Sequence, residues 1–251
     1  MRSVDGQSVI SRVVKVLQVF RDTGGGLNTS EVSRRSGIPL STTHRILNAL
    51  AGEGLLEKGG DARFHVGLTL WQVAARSPRA VGIQRTALPY MQDLYEVTRY
   101  PVHLAIQEGH RVIFVERLAP SGDETERPKV GSSYPLHVTA VGLVLLAFSS
   151  ADLQNEYLSA PLKPITDFTI TEPGALRAQL AEVRATGYAI SDRQVNPAAL
   201  SVAAPIRGAG GRVQAAISAN VPHHRKNEAS LAHTVQAVAL SVTRSLMSHH
   251  A

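Results

Sequence analysis

Residues 27–56 read LNTSEVSRRSGIPLSTTHRILNALAGEGLL, and this segment contains two short helical patterns separated by a turn. Asn28 and Glu31 have the spacing of an N-cap residue and the third residue of a helix, where each side chain accepts a hydrogen bond from the other residue's backbone amide. They predict a helix over residues 29–36. Glycine and proline at positions 37–39 then end this helix, because neither residue continues helical hydrogen bonding well.

The second helical pattern in this segment runs from Leu40 to about Glu53. Its less polar side chains recur at intervals of three and four residues, which places them on one face. That face comprises Thr43, Ile46, Leu47 and Leu50. The opposite face is polar and comprises Ser41, His44, Arg45 and Asn48. Such a helix packs on a core with one face and meets solvent or a partner with the other.

A further helix and a hairpin flank this segment. Helical spacing of apolar residues predicts the helix over residues 8–21. After Gly54 the sequence changes to LLEKGGDARFHVG, two extended runs joined at residues 59–61, which predicts a β-hairpin. Three helices followed by a hairpin form a winged helix-turn-helix domain, which we place at residues 1–68.

The rest of the chain predicts a linker and a second domain. Residues 69–98 have helical patterns interrupted near Ser77 and Pro78, and predict a linker helix. Over residues 99–251 short strand patterns alternate with helical ones, so that we expect an α+β domain with an antiparallel sheet. Strands are predicted at 101–107, 111–118, 188–191, 201–206 and 213–220, and helices at 140–149, 151–159, 172–186 and 228–248.

Composition excludes several classes of protein. The 251 residues include 26 Lys and Arg against 20 Asp and Glu, a net charge of +6, and 43% are apolar, as in globular proteins. The absence of cysteine excludes disulfides, thiolate zinc sites and cysteine nucleophiles. A charged N-terminal segment predicts no signal peptide, and the apolar centre of the charge-free run 130–151 is too short to span a membrane. We expect a cytoplasmic protein without membrane contact, metal or cofactor.

The polar face of the helix at 40–53 is a candidate DNA reader. Hydroxyls near its N-terminus, a guanidinium and an amide are groups that pair with phosphates and base edges in the major groove. The candidates are Ser41, Thr42, His44, Arg45 and Asn48. Flanking cations that can hold phosphates are Arg34, Arg35, Lys58 and Arg63. Charge does not decide the matter, since residues 1–67 carry only +3 of the net +6. The alternative is the solvated face of a protein-interaction module.

Several segments together resemble the IclR family of bacterial transcriptional regulators. They are residues 27–56 with FHVGLTL at 64–70, then YPLHVTAVGLVLLA at 134–147, ALRAQLAEVRATGYAISD at 175–192 and SVAAPIRGAGGRVQAAISAN at 201–220. The resemblance covers about residues 8–247. It implies a GAF-like effector domain for a small metabolite, often an aromatic or short carboxylic acid. It also implies a homodimer or homotetramer on double-stranded DNA with a palindromic operator.

The same resemblance assigns roles by position. Ser41, Thr42, His44, Arg45 and Asn48 would read or position DNA, with Thr29, Ser30, Arg34 and Arg35 on the phosphate side. The effector pocket would be bounded by Ala140, Val141, Ser191 or Asp192, Ser201, Ser218 and Asn220. Amides at a helix N-terminus, with hydroxyl and amide side chains, suit a carboxylate without a buried countercharge. The alternative for Ser218 and Asn220 is that they are ordinary alternating strand residues.

The chain departs from the family pattern at several positions. Leu40 stands where a cation is common, Thr43 where valine is usual, and Leu143 where lysine is usual; Leu200 and Ser201 replace an Arg-Cys pair. One alternative function is therefore a constitutive repressor with a non-binding pocket. An enzyme is not expected, since the chain has no cysteine and no Gly-x-Ser-x-Gly motif.

His103 and His137 are the histidines that a metal site or a general base would use. Neither has a second ligand at short helical or hairpin spacing. We therefore predict that both are structural residues with their hydrogen bonds satisfied.

Overall fold

The computed structural model describes residues 8–21, 23, 25–120, 128–225 and 228–248. It forms two compact units that divide between Val81 and Gly82. This division falls inside the predicted linker, whose limits at residues 69 and 98 remain predictions. None of the helices in these ranges is long and apolar enough to cross a membrane.

The first unit is a winged helix-turn-helix, as predicted. Its elements are α1 (Val9–Arg21), α2 (Thr29–Ser36), α3 (Leu40–Gly52), β1 (Leu56–Lys58), β2 (Phe64–Val66) and α4 (Leu68–Ala74), followed by the start of α5 (Pro78–Thr98). Strands β1 and β2 pair as an antiparallel hairpin. The core between helices and hairpin comprises Val16, Phe20, Leu27, Val32, Ile38, Ile46, Leu47, Leu50, Leu56 and Phe64.

The predicted capping box starts α2. The Asn28 side-chain oxygen accepts from the Glu31 amide at 2.9 Å, and the Asn28 amide donates to the Glu31 carboxylate at 2.8 Å. This backbone hydrogen bond, with the positive charge of Arg63, lowers the pKa of Glu31. At the other end of α2, Gly37 has a φ of +68°, in the left-handed region that glycine adopts at low cost.

Two hydroxyls hold the turn between α2 and α3. Ser33 and Thr43 both donate to the carbonyl oxygen of Ile38, at 2.7 and 3.1 Å. Thr43 is wholly buried, so its hydroxyl needs this partner. The departure from valine at position 43 thus adds one hydrogen bond within the helix-turn-helix.

The second unit is an α+β domain with an antiparallel sheet, as predicted. Its strands are β3 (Val102–Glu108), β4 (Arg111–Leu118), β5 (Ser133–Pro135), β6 (Ala189–Asp192), β7 (Ala199–Arg207) and β8 (Val213–Pro222), in the spatial order β5-β4-β3-β8-β7-β6. Besides α5, its helices are α6 (Ala140–Ala147), α7 (Ala151–Ser159), α8 (Pro173–Thr186) and α9 (Glu228–Ser248).

Helices cover both faces of this sheet. All eight residues of α6 are buried, and they pack with α7 and α8 against the face that includes Ala203 and Ala216. Helix α9 packs against β7 and β8. Residues 215–219 of β8 are all buried, and because successive strand residues point to opposite faces, both faces must be covered. Both faces of the sheet are therefore packed against helices.

Candidate nucleic-acid interface and small-molecule pocket

Helix α3 has the two faces that its sequence predicts. Thr43, Ile46, Leu47 and Leu50 are buried. On the opposite side Ser41, His44, Arg45 and Asn48 are exposed, and Thr42 is half-buried. Two of the exposed residues are already bonded to each other, since the Asn48 side-chain amide donates to the His44 carbonyl oxygen at 2.8 Å. Asn48 must exchange or share this bond to reach a base edge.

The cations predicted beside α3 differ in their solvent exposure and in their contacts within the first unit. Arg34 and Arg35 on α2 are exposed, as is Ser30, and Thr29 is half-buried. Lys58 on β1 is exposed, with its ammonium 5.7 Å from the centre of the Phe64 ring. The cations Arg34, Arg35 and Lys58 are thus accessible to solvent.

Arg63 is engaged within the first unit. Its guanidinium donates to the Gly26 carbonyl oxygen at 2.7 Å and lies 3.5 Å from the Glu31 carboxylate. The side chain is 42% exposed. Arg63 therefore ties the hairpin to the start of α2, a role that its sequence position did not suggest. Its predicted phosphate contact would have to be made alongside these bonds.

A pocket of about 540 Å³, part of it open to solvent, lies in the second unit between the start of α6 and the sheet. Six of the seven predicted effector residues line it: Ala140, Val141, Ser191, Ser201, Ser218 and Asn220. The structure thus brings together residues that are up to 80 positions apart in the sequence. Of the described lining residues, none carries a charge.

Asp192 lies outside the pocket, which corrects one of the two alternatives at this position. Its carboxylate is 2.8 Å from a ring nitrogen of His223 and 3.3 Å from the guanidinium of Arg193. Neighbouring residues of a strand point to opposite faces, so of these two residues only Ser191 faces the pocket. The Ser191 hydroxyl donates to the Val138 carbonyl oxygen at 2.9 Å.

The start of α6 lines the pocket. The Thr139 hydroxyl caps the helix by accepting from the Gly142 amide at 3.0 Å. Position 142 must be glycine, because a Cβ atom there would collide with the Leu136 carbonyl oxygen. First-turn amides have no partner within the helix, so those of Ala140 and Val141 are available to an anion.

Ser201 and Asn220 form a polar wall of the pocket on the side of the sheet. They are paired across β7 and β8, and the Ser201 hydroxyl donates to the Asn220 side-chain oxygen at 2.5 Å. This bond leaves the Asn220 amide nitrogen as a donor for a ligand. At the two other positions of the second unit that depart from the family pattern, Leu143 and Leu200, the side chains are wholly buried in the core and do not line the pocket.

The remaining lining residues are not among those predicted from the sequence. They are Phe114, Pro128, Tyr134, Thr139, Gln194, Val195, Asn196 and Ala199. The rings of Phe114 and Tyr134 meet edge to face with their centres 6.0 Å apart. The apolar alternation of β4 marks Phe114 as buried, but nothing local indicates that it faces a cavity.

The two candidate histidines behave differently. His137 is satisfied, as predicted: one ring nitrogen lies 2.7 Å from the Tyr157 hydroxyl and the other 3.1 Å from the Lys163 carbonyl oxygen. His103 is wholly buried, and neither ring nitrogen has a hydrogen-bond partner among the described residues, which corrects the prediction for this residue. Burial and the positive charge of Arg117 lower the pKa of His103 to about 3.

Two family models match the two units. The IclR helix-turn-helix domain matches residues 9–60, and the model of the bacterial transcriptional regulator IclR C-terminal domain matches residues 77–244, more than half of the chain. The chain belongs to the IclR family of bacterial transcriptional regulators. As in other IclR-family regulators, a DNA-binding helix-turn-helix precedes an effector domain.

Curated relatives match most of this chain. The regulator BhcR of Paracoccus denitrificans is 31% identical over 93% of this chain and 84% of its own length. The regulator Rv1719 of Mycobacterium tuberculosis is 32% identical over 88% of this chain and 84% of its own length. Each is named as a helix-turn-helix transcriptional regulator.

Solved structures agree with the fold. An IclR homologue from Microbacterium hydrocarbonoxydans, complexed with 4-hydroxybenzoate, has a TM-score of 0.86 and 32% identity, covering 95% of this chain and 99% of its own. A regulator from Silicibacter sp. TM1040 has a TM-score of 0.81 and 27% identity, covering 95% and 96%.

Proposed function

We propose that this IclR-family regulator binds its operator through the exposed face of α3, and that a small organic acid in the pocket of the second unit controls this binding. The observation that carries the proposal is the pocket itself. A helix N-terminus and neutral hydrogen-bonding side chains converge there, in a chain whose other unit exposes a polar recognition face.

The lining of the pocket favours a carboxylate as the ligand. The amides of Ala140 and Val141 attract negative charge, and the Asn220 amide adds a donor. Phe114 and Tyr134 provide aromatic surface for the apolar part of such a ligand. The Microbacterium relative, which was solved with 4-hydroxybenzoate, supports this class of compound.

Control of DNA binding would follow from a shift of populations. A ligand that binds one arrangement of the effector domains more tightly favours that arrangement, and it changes operator affinity if the arrangements differ in the spacing of the two α3 helices. Spacing matters because half-sites of a palindrome lie about 34 Å apart.

Exposed apolar residues support self-association of the first unit. Ile10 on α1 and Trp71 on α4 are 75% and 65% exposed, and Val9, Val14, Leu68 and Val73 are exposed as well. Exposed groups of large apolar side chains on a globular protein commonly mark interfaces. We propose a homodimer or homotetramer, which a palindromic operator requires.

The lining residues argue against catalysis. A serine nucleophile needs an adjacent base, and the Ser201 hydroxyl donates instead to an amide oxygen. No histidine or carboxylate is found among the described residues of the pocket wall.

The test is a gel-shift titration against DNA upstream of the gene, with excess competitor DNA at near-physiological salt. We expect a specific complex that survives competitor, and Arg45→Ala, at the centre of the exposed face of α3, to weaken it by about 1 to 3 kcal/mol. An unchanged affinity in this variant would contradict the proposed interface. A thermal-shift screen of small acids then tests the pocket, and a screen in which none stabilises the protein would favour a constitutive repressor.

A further inference from the structure

His103 occupies an unusual position for a polar residue. It lies on the central strand β3, is wholly buried, and its two ring nitrogens have no hydrogen-bond partner in the described part of the chain. A buried polar group without a partner destabilises a fold, and such groups are rare in native proteins. A group retained in this state requires an explanation.

The neighbours of His103 are residues of the pocket wall. Ser218 on β8 is its direct partner across the strands, and residues directly opposite in a sheet project from the same face. The His103 ring also meets the ring of Phe114 edge to face, with centres 5.6 Å apart. Both Ser218 and Phe114 line the pocket. The imidazole therefore lies next to two side chains that line the pocket.

We propose that His103 is a specificity-determining residue of the effector pocket, and that its imidazole forms a hydrogen bond with a hydroxyl or carbonyl group of the bound effector. The effector reaches the imidazole when the Phe114 ring turns aside. This inference rests on the proposed function and makes it more specific. The preferred effector is a small carboxylic acid that carries a second, neutral polar group.

The neutral state of the imidazole decides which effector group it binds. With its pKa lowered to about 3, His103 is uncharged at physiological pH. One ring nitrogen then donates and the other accepts, which matches a hydroxyl or carbonyl group. An uncharged imidazole does not balance a carboxylate, whose place is at the start of α6.

The melting temperature of a His103 variant distinguishes a purely structural role of this residue from a role in effector binding. If the imidazole supported the fold, its replacement by leucine would lower the melting temperature. If it is kept for the effector, His103→Leu removes an unsatisfied polar group, and the unliganded protein melts at the same or a higher temperature. His137→Leu is the matched control, because His137 has hydrogen bonds at both ring nitrogens and its loss should lower the melting temperature.

The experiment compares pairs of acids that differ by one polar group: benzoate with 4-hydroxybenzoate, propionate with lactate and pyruvate. Affinities for the full chain are measured by calorimetry. We expect the wild-type protein to prefer the substituted acid of at least one pair by about three- to tenfold, which is the contribution of one hydrogen bond. His103→Leu should bind both acids of that pair equally, and His103→Gln should recover part of the preference.

The outcomes separate the two proposals. If no acid binds the wild-type protein, the proposed function is contradicted and the inference with it. If acids bind but without preference, or if His103→Leu keeps the preference, the inference alone is overturned. A melting temperature of His103→Leu below that of the wild type also overturns it, since this would show a structural role.

Discussion

Ser201 and Asn220 define one wall of the pocket without any charge. The Ser201 hydroxyl holds the Asn220 side-chain oxygen at 2.5 Å and so orients the amide nitrogen as a donor. Because no charged group stands among the described lining residues, an anion bound here depends on amides and hydroxyls alone. The charge of a single lining side chain should then decide how tightly the pocket binds an anion.

Asn220→Asp tests this dependence. The new carboxylate has nearly the same shape, still accepts from Ser201, and repels an anionic effector. We expect affinity for an acid that binds the wild type to fall at least tenfold, about 1.4 kcal/mol, as measured by calorimetry. Ser218→Ala changes the same wall without adding charge, and should lower the affinity much less. Equal affinity for the acid in Asn220→Asp would show that the carboxylate binds elsewhere.

His103 predicts a pH dependence of stability. In the unfolded chain it binds a proton below about pH 6.5, whereas in the fold its lowered pKa of about 3 excludes that proton. The unfolded state therefore binds more protons between these values, and the free energy of unfolding falls as the pH drops through this range. We expect this residue to account for a loss of about 2 kcal/mol between pH 7.5 and pH 5, measured by urea denaturation. In His103→Leu this part of the pH dependence should disappear. If the free energy of unfolding of the variant fell with pH as much as that of the wild type, His103 would not be its source.

Polar side chains form hydrogen bonds at both ends of α2 and stabilise the first unit. The capping box begins α2, Arg63 ties the hairpin to it, and two hydroxyls hold the Ile38 carbonyl oxygen in the following turn. These contacts set where α3 and the hairpin lie relative to α2. They therefore determine the geometry with which the first unit meets DNA.

Asn28→Ala removes the cap of α2. We expect it to lower the stability of the first unit by about 1 kcal/mol, since the Glu31 amide loses its acceptor. Trp71, the sole tryptophan of the chain, lies on α4, so its fluorescence during urea denaturation reports on this unit. Ser30→Ala, at an exposed position of the same helix, should leave the transition unchanged. A transition equal to that of the wild type in Asn28→Ala would show that the cap contributes nothing.

Lys58 and Arg63 form a matched pair of cations on the hairpin. Lys58→Ala should weaken binding to all DNA sequences alike and reduce the slope of log affinity against log salt by about 1, with Trp71 unfolding unchanged. Arg63→Ala should shift the Trp71 transition to lower urea, because Arg63 holds the Gly26 carbonyl oxygen. If Lys58→Ala lowered the stability of the first unit and Arg63→Ala only weakened DNA binding, Lys58 would be the structural cation and Arg63 the phosphate contact.

Features that depend on residues close together in the sequence can be predicted from it, whereas features that depend on distant residues cannot. The two faces of α3 and the capping box follow from spacings of three and four residues, and the structure confirms both. Ser191 and Asp192 could not be separated, since the choice depends on which face of β6 meets α6. The bond from Arg63 to Gly26 and the absent partners of His103 arise from residues far apart in the chain, and no local pattern indicates them.

The proposed regulation couples two compact units of one chain through a single equilibrium. The first carries a recognition face, and the second a pocket without charge. Coupling between such sites is a free energy, about 1 to 3 kcal/mol in known cases, and it acts in both directions. DNA must then change effector affinity by the same factor as effector changes DNA affinity.

The most direct test is a fluorescence-anisotropy titration of the full chain with labelled operator DNA, at fixed salt, with and without a saturating acid that calorimetry shows to bind. We expect the acid to change the operator Kd at least fivefold in the wild type, and to change it less in Asn220→Asp at the same acid concentration, because this variant binds the acid more weakly. The same operator Kd with and without the bound acid in the wild type would contradict this expectation.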